Sequence, residues 1–549
     1  MTAAVALNRF GLGARPGEMA AVRPDPRGWL HAQLRPETAL PAPMAALPST
    51  LDDLGVFRKW TAELARLARA RGMDPATMRS APTERRRAMD AGAMAGPADK
   101  DATVSMRASG PDMSRAGADG LSVEGSFKQV FGPRHARALK ARFDVAVATE
   151  RPFFERLVHF WSNHFVVSGA KPGAIAMPPS FERDAIRPHV TGRFVDMLMA
   201  STKHPAMLFY LDNLLSIGPN SALAQEKTPG RSQGFSHPLG GPGEARVGGA
   251  LNPSLRRRPA QQDFAIPRSI GLNENLAREI LELQTLGARG GYEQADVSSL
   301  ARIITGWTIA RPPRVSYARL TLQGRLNGPG LFDFDPDAHE PGAHRLLGVA
   351  YAQPGVAQGE AALRALAAHP STARFIATKL ARHFVADDPP PEVVERLASV
   401  FLDTDGDLAR VCAALVDLPQ GQLQPLRKFK TPQEFLVSAA RGLPGLEIDA
   451  TRLQRTLANL GQVVYNPPGP NGWPDVEAEW LGADAVWKRF LWAGEAASAA
   501  ASGTLAPAAL ARELLGDTVS AATLQAIERA ESPTQGLTLL LASAEFQRR

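Results

Sequence analysis

The chain has 549 residues, of which 44% are hydrophobic and 21% charged, with a net charge of +7 at pH 7 and a single cysteine. These are the proportions of a globular protein, and no apolar run approaches the roughly 18–20 residues that cross a bilayer, so a transmembrane segment is excluded. One cysteine rules out an intramolecular disulfide and a cysteine-based zinc site, and the small basic excess carries no nucleic-acid recognition motif, so no nucleic acid is expected as a partner.

Along the chain, residues 1–87 open a helical core. Their first stretch, MTAAVALNRFGLGARPGE, lacks a basic leader region and is interrupted by Arg9, so no signal peptide is read and a cytoplasmic location is the default. Residues 88–125 are rich in Gly, Ala, Ser and Asp, and residues 217–271 carry Pro and Gly repeatedly without any period. Both read as disordered loop insertions, because neither buries enough apolar surface to offset the entropy of ordering. The remaining core, 126–216 and 272–549, is helical by periodicity. ERPFFERLVHFWSNHF, FVDMLMASTKHPAMLFYLDNLL, ADVSSLARIITGW, STARFIATKLARHFV and PPPEVVERLASVFLDT each repeat apolar residues at i, i+3, i+4 and i+7. Gly306 is placed to end the third of these, and the Pro389–Pro391 run separates the last two. Strand signals are sparse; VSYARLTLQG and LFDFD alternate and predict a hairpin within 314–351. The fold class expected is mainly α: one large multi-helical domain with long loop insertions and a small β-hairpin excursion.

Three stretches place polar groups where chemistry could need them. In NENLAREILELQTLG (273–287), Asn273 suits an N-cap and Gly287 a C-terminal stop. Glu274, Arg278 and Glu282 fall at i, i+4, i+8 and predict a surface ion-pair ladder. Glu279 falls between Leu283 and Leu286 inside a wide apolar arc, with Asn275 on the same edge, so a desolvated carboxylate with a fixed partner is expected there. In RPFFERLVHFWSNHFVVS (151–168), His164 lies in the middle of the apolar face made by Phe153, Leu157 and Phe160. Such a histidine is either a satisfied core residue or a base. The arc of Glu155, Arg156, His159, Ser162 and Asn163 reads as solvated. In LFDFDPDAHEPGAHRLLG (331–348), Asp333, Asp335, Asp337 and His339 alternate, but the calcium-loop pattern fails at Ala338, and a turn explains the acids. Asp407 reads as the cap of LARVCAALV, and Cys412 within it as a small core residue. Phosphate-loop, dinucleotide-fold, nucleophile-elbow and zinc-protease motifs are absent from the sequence.

Taken in order, LNRFGLGARPGE, ERLVHFWSNHF, HPAMLFYLDN, NENLAREILELQTLGARGGYEQADVSSLARIITGW, FDFDPDAHEPGAHRLLG, ATKLARHFVADDPPPEVVERLASVF, KFKTPQEFLVSAARGL and YNPPGPNGWPD resemble the bacterial family called domain of unknown function 1800. The resemblance covers all but the two low-complexity stretches, and implies a mainly helical protein. It also implies export for many members, and a sulfatase-like exported protein as partner. Its motifs fall on His164, Asn273, Glu274, Asn275, Arg278, Glu279, Glu282, Arg302, Trp307 and His339.

Two functions are therefore expected as alternatives. The first is an enzyme with a buried site between the WSNHF and NENLARE helices. His164, Glu279 and His339 would be its acid/base or metal-binding groups, with Asn275 and Arg278 orienting them or holding an anion, and Trp307 as a wall. No cofactor is assigned; a divalent metal assisting hydrolysis suits these residue types. The second is a non-catalytic helical scaffold or partner protein in which the same polar groups fix helix register.

Overall fold

A computed structural model describes residues 1–70, 123–171, 174–225, 271–309, 332–423, 426–500 and 506–549. The low-complexity stretch 88–122, most of the 217–271 insertion and the VSYARLTLQG segment lie outside the described residues. Where the insertion is described, its two ends meet: Ile217 N donates to Gly271 O at 3.2 Å.

Helices dominate, and most start where the sequence supplies an opening residue. Pro152, Pro205, Pro370, Pro391, Pro432, Pro507 and Pro533 each occupy a first helical position, where the missing N–H costs nothing. Asp407 caps Leu408–Val416 through the Arg410 amide, and Thr431 forms a capping box with Glu434 at the head of Pro432–Gly442. The run FVDMLMASTKHPAMLFYLDNLL is broken at His204. Pro205 cannot donate and forces the residue before it into extended backbone, so one helix ends at Lys203 and a shorter one covers Pro205–Tyr210.

A main apolar core runs through the described chain from Ala3 to Phe546, with a small second cluster of Met44, Leu47, Ala138, Ala141 and Val145. The first block is part of the main core: Ala3–Phe10 is buried, Phe10 stacks on Phe384 with ring centroids 5.5 Å apart, and Asn8 donates to Leu514 O at 3.0 Å. Cys412 is buried as expected, and burial pushes its thiol up to about 12. No described helix is long and apolar enough to cross a membrane.

Among the described residues the strands form two antiparallel pairs. Strand β1 (Trp307–Ile309) pairs with β2 (Phe332–Phe334), and β3 (His344–Leu346) pairs with β4 (Val349–Tyr351). Among the described residues LFDFD thus pairs with the strand at the end of the TGW block, and the expected partner VSYARLTLQG lies outside them. Leu347 and Gly348, both at positive φ, make the tight β3–β4 turn, and Asp296 holds the Leu347 amide at 2.7 Å.

Gly306 ends the helix Gln294–Ile303 and starts β1. Its φ is +79°, and a Cβ there would lie 2.4 Å from the carbonyl oxygen of Asp335. Gly17 has a similar φ of +84° but open space around it. Thermal or urea denaturation should show Gly17→Ala costing about 1 kcal/mol, the left-handed penalty alone, and Gly306→Ala at least about 2 kcal/mol more. Equal losses at both sites would mean the backbone approach at Gly306 is not rigid.

Candidate functional site: a cavity between the WSNHF and ATKLARHF helices

The arc of the WSNHF helix (Pro152–His164) that reads as solvated is in fact turned inward, with His159, Ser162 and Asn163 half-buried and its two charged residues buried. Glu155 and Arg156 are each 1% exposed. The arc faces protein because charged groups on neighbouring elements meet it. Arg187 donates twice to Glu155 at 2.9 and 2.6 Å, and Arg156 donates to Gly11 O at 2.6 Å and to Glu434. Helical periodicity distinguishes a polar arc from an apolar one, but it cannot tell a wet polar arc from a paired one.

Beyond these pairs the arc borders a cavity of about 410 Å³. His159, Asn163 and His164 line it from the WSNHF helix, and Lys379 and His383 from the ATKLARHF helix (Pro370–Phe384). The loop Asn471–Asp475, NGWPD, covers it. Asn163 fastens that loop: its Nδ2 donates to Trp473 O at 2.9 Å and its Oδ1 accepts from Trp473 N at 2.7 Å. Gly472, at φ +77°, lets the loop lie against the helix, since a Cβ there would be 2.5 Å from Asn163 O.

Fastened in this way, the loop delivers Asp475 to His383 Nδ1 at 2.6 Å. Burial alone would raise the Asp475 carboxyl. His383, Lys428 and Arg549 together hold it well below the usual carboxylate range, so it is ionised. Burial lowers the His383 pKa against the pull of Asp475, so the ring is neutral with its proton on Nδ1 facing the carboxylate. Its Nε2 is then a lone-pair acceptor, buried without a partner. Across from it, His159 accepts from Gln433 at Nδ1 (3.4 Å), and its Nε2 stands 3.6 Å from Glu155, beyond hydrogen-bond reach. Burial, and then Arg142, hold His159 well below its ordinary pKa.

Of the candidate catalytic and binding residues that the sequence singles out, only His164 lines this cavity. It does not meet Glu279. Its Nε2 lies 3.1 Å from Gln284 O, among the rings of Trp161, Phe165, Phe194 and Phe375. Burial and nearby Lys379 keep it neutral, and with Nε2 at a backbone carbonyl its Nδ1 is buried without a partner and has no carboxylate to orient it. The NENLARE helix is α-helical over Asn275–Glu279 and widens to a π-turn over Ile280–Gln284, presenting that carbonyl. Asn273 accepts from the Asn275 amide at 2.9 Å, and Gly287 stops the run at φ +83°. The ladder is only half formed. Arg278 reaches Glu274 at 3.4 Å and Gln294 at 2.8 Å, while Glu282 takes the Tyr292 hydroxyl at 3.4 Å. Asn275 is exposed. Trp307 is buried beneath Lys203 and Phe332, with its carbonyl held by Asn213. His339 Nδ1 donates to Thr305 O at 3.0 Å. Asp335 accepts from the Asp337 amide at 3.1 Å, as a turn requires. Among the described residues no group of three or more His, Cys, Asp or Glu side chains is gathered as a metal site would be.

The residues missed are His159, Lys379, His383 and Asp475. Lys379 and His383 are four apart on one helix, so their shared face was legible. Asp475 follows 92 positions later, a separation no local pattern connects.

Glu279, expected to have a fixed partner, accepts no hydrogen bond among the described residues. Burial, and then Glu282, raise it to about 7, with Arg278 opposing. A carboxyl raised on folding contributes stability below its unfolded pKa near 4.5, and that contribution is lost as pH rises through 7. Discounted for partial exposure, Glu279→Gln should stabilise the protein by about 1 kcal/mol at pH 8 and leave it unchanged at pH 4. Melting curves at the two pH values check this; equal effects at both would remove titration as the cause.

Residues 5–548 match the family described as a protein of unknown function, DUF1800. No match was found among curated proteins or among solved structures. The match spans essentially the whole sequence, including every element that walls the cavity, and the chain therefore belongs to the DUF1800 family.

Proposed function

We propose that the protein is an enzyme whose working groups are His383 and Asp475, acting in the cavity beneath the NGWPD loop. One observation carries this reading: a neutral histidine, oriented by an ionised carboxylate at 2.6 Å, leaves its second nitrogen unpartnered on a cavity wall. That is the arrangement of a general base. Nε2 takes the proton of a water or substrate hydroxyl, and Asp475 stabilises the imidazolium that results. Hydrolysis of an ester-type bond is the simplest reaction such a pair serves. His164, Glu279 and His339 then support the fold around the site instead of performing the chemistry.

A second reading, a helical scaffold, is favoured by the company Asp475 keeps. It lies 3.3 Å from both Lys428 and Arg549, as a purely structural hub would.

Assays against chromogenic carboxylic, phosphoric and sulfuric esters discriminate between the two. On the enzyme reading one ester class is turned over, and His383→Gln lowers kcat about 10²–10⁴-fold while the melting temperature stays near that of the parent. Asp475→Asn should lower kcat similarly. If both variants melt far lower and no ester is turned over, the pair is structural and the scaffold reading stands. Unchanged turnover in His383→Gln removes the base assignment.

A further inference from the structure

We infer that Lys379 is the anchor of an anion-binding site in this cavity, and that its ligand is a small organic oxyanion. The inference takes the cavity's location from the reading above but does not depend on His383 acting as a base.

Charge accounting inside the cavity carries it. The carboxylates that line it already face cations. Glu182 receives Arg142 at 2.7 Å; Glu434 is bonded by Arg156 and lies 2.9 Å from Arg549 Nε; Asp475 meets His383, Lys428 and Arg549. Lys379 also lines the cavity, yet among the described residues its ammonium has no hydrogen-bond or ion-pair partner. Its Nζ lies 5.6 Å from the centroid of the Phe375 ring. This half-buried cation loses hydration, and the acid that acts on it, Asp475, is already shared among His383, Lys428 and Arg549, so a bound anion would offset the cost. Lys379 precedes His383 by one helical turn, so the charge and the His383–Asp475 pair share a face. A further donor is at hand, because the indole N–H of Trp473 in the covering loop is buried without an acceptor. The cavity is of the size of small-molecule sites, which suits a compact metabolite-sized anion rather than a polymer.

Burial lowers Lys379 to about 8, with Asp475 opposing and Arg382 adding to the effect. At neutral pH the group is mostly the ammonium that binds an anion, and a minor free-amine fraction makes it testable. Pyridoxal 5′-phosphate, an aldehyde carrying a phosphate, is the probe. The amine nitrogen bonds to the aldehyde carbon, the carbonyl oxygen leaves as water, and borohydride then delivers hydride to the imine carbon, fixing the label. Peptide mass spectrometry reads the site. Lys379 is expected to be labelled at least about tenfold faster than exposed Lys59, and inorganic phosphate should protect Lys379 saturably while leaving Lys59 unaffected. Labelling no faster than at Lys59, or labelling that phosphate does not slow, overturns the site. His383→Gln should retain phosphate protection even though it removes turnover. In the parent protein, ester turnover without phosphate protection would remove the anion site alone, and phosphate protection without turnover of any ester would remove only the base assignment. Lys379→Met provides a second measurement, equilibrium dialysis with radiolabelled phosphate, in which binding by the parent and none by the variant is the result expected.

Discussion

The architecture turns on one buried carboxylate, Glu434. It sits at the third position of the helix Pro432–Gly442, where one oxygen accepts the Thr431 amide of the capping box. Its other oxygen meets Arg156 from the WSNHF helix and Arg549 from the last described residue. Burial would raise such an acid, but Arg549 and Arg156 hold it at about 2. Three distant segments are thereby bound to one charge. Removing any single partner from a pair of this kind leaves an uncompensated buried ion, which costs about 3–5 kcal/mol, so the segments are constrained together.

That constraint places the cavity. With Arg156 committed to Glu434 and Glu155 to Arg187, the polar arc of the WSNHF helix is turned inward, and His159 and Asn163 face the interior. Asn163 then fixes the NGWPD loop through two backbone hydrogen bonds, and the loop carries Asp475 to His383. Arg549 serves both ends of this chain, since it also donates to His383 O and lies against Asp475. The dyad is consequently held by the same ions that hold the fold. Preorganisation of this sort is what a general base requires, because its geometry is set before a substrate arrives.

The motif-rich NENLARE block has a supporting place in this scheme. Its π-turn exposes the Gln284 carbonyl, which His164 engages, so the block backs the cavity wall from behind. The contact between the two helices runs from His164 to this backbone carbonyl and not to the Glu279 carboxylate. A helical wheel assumes 3.6 residues per turn throughout, and a wider turn over Ile280–Gln284 shifts every later side chain from its plotted position.

Local patterns decided what is local. Apolar periodicity gave the helices, proline and the caps at Asp407 and Thr431 gave their starts, and the positive-φ glycines 287 and 306 gave two of their ends. Each is an interaction spanning a few residues, so the chain states it directly. Family membership was legible for the same reason, as a succession of short blocks. Whether a polar face meets water or a counter-charge is a different kind of fact, because it depends on what packs opposite. Arg187 lies 32 positions from Glu155, Glu434 lies 278 from Arg156, and Asp475 lies 92 from His383. Only the tertiary structure brings those groups together, since burying a charge is tolerable only where folding delivers its partner.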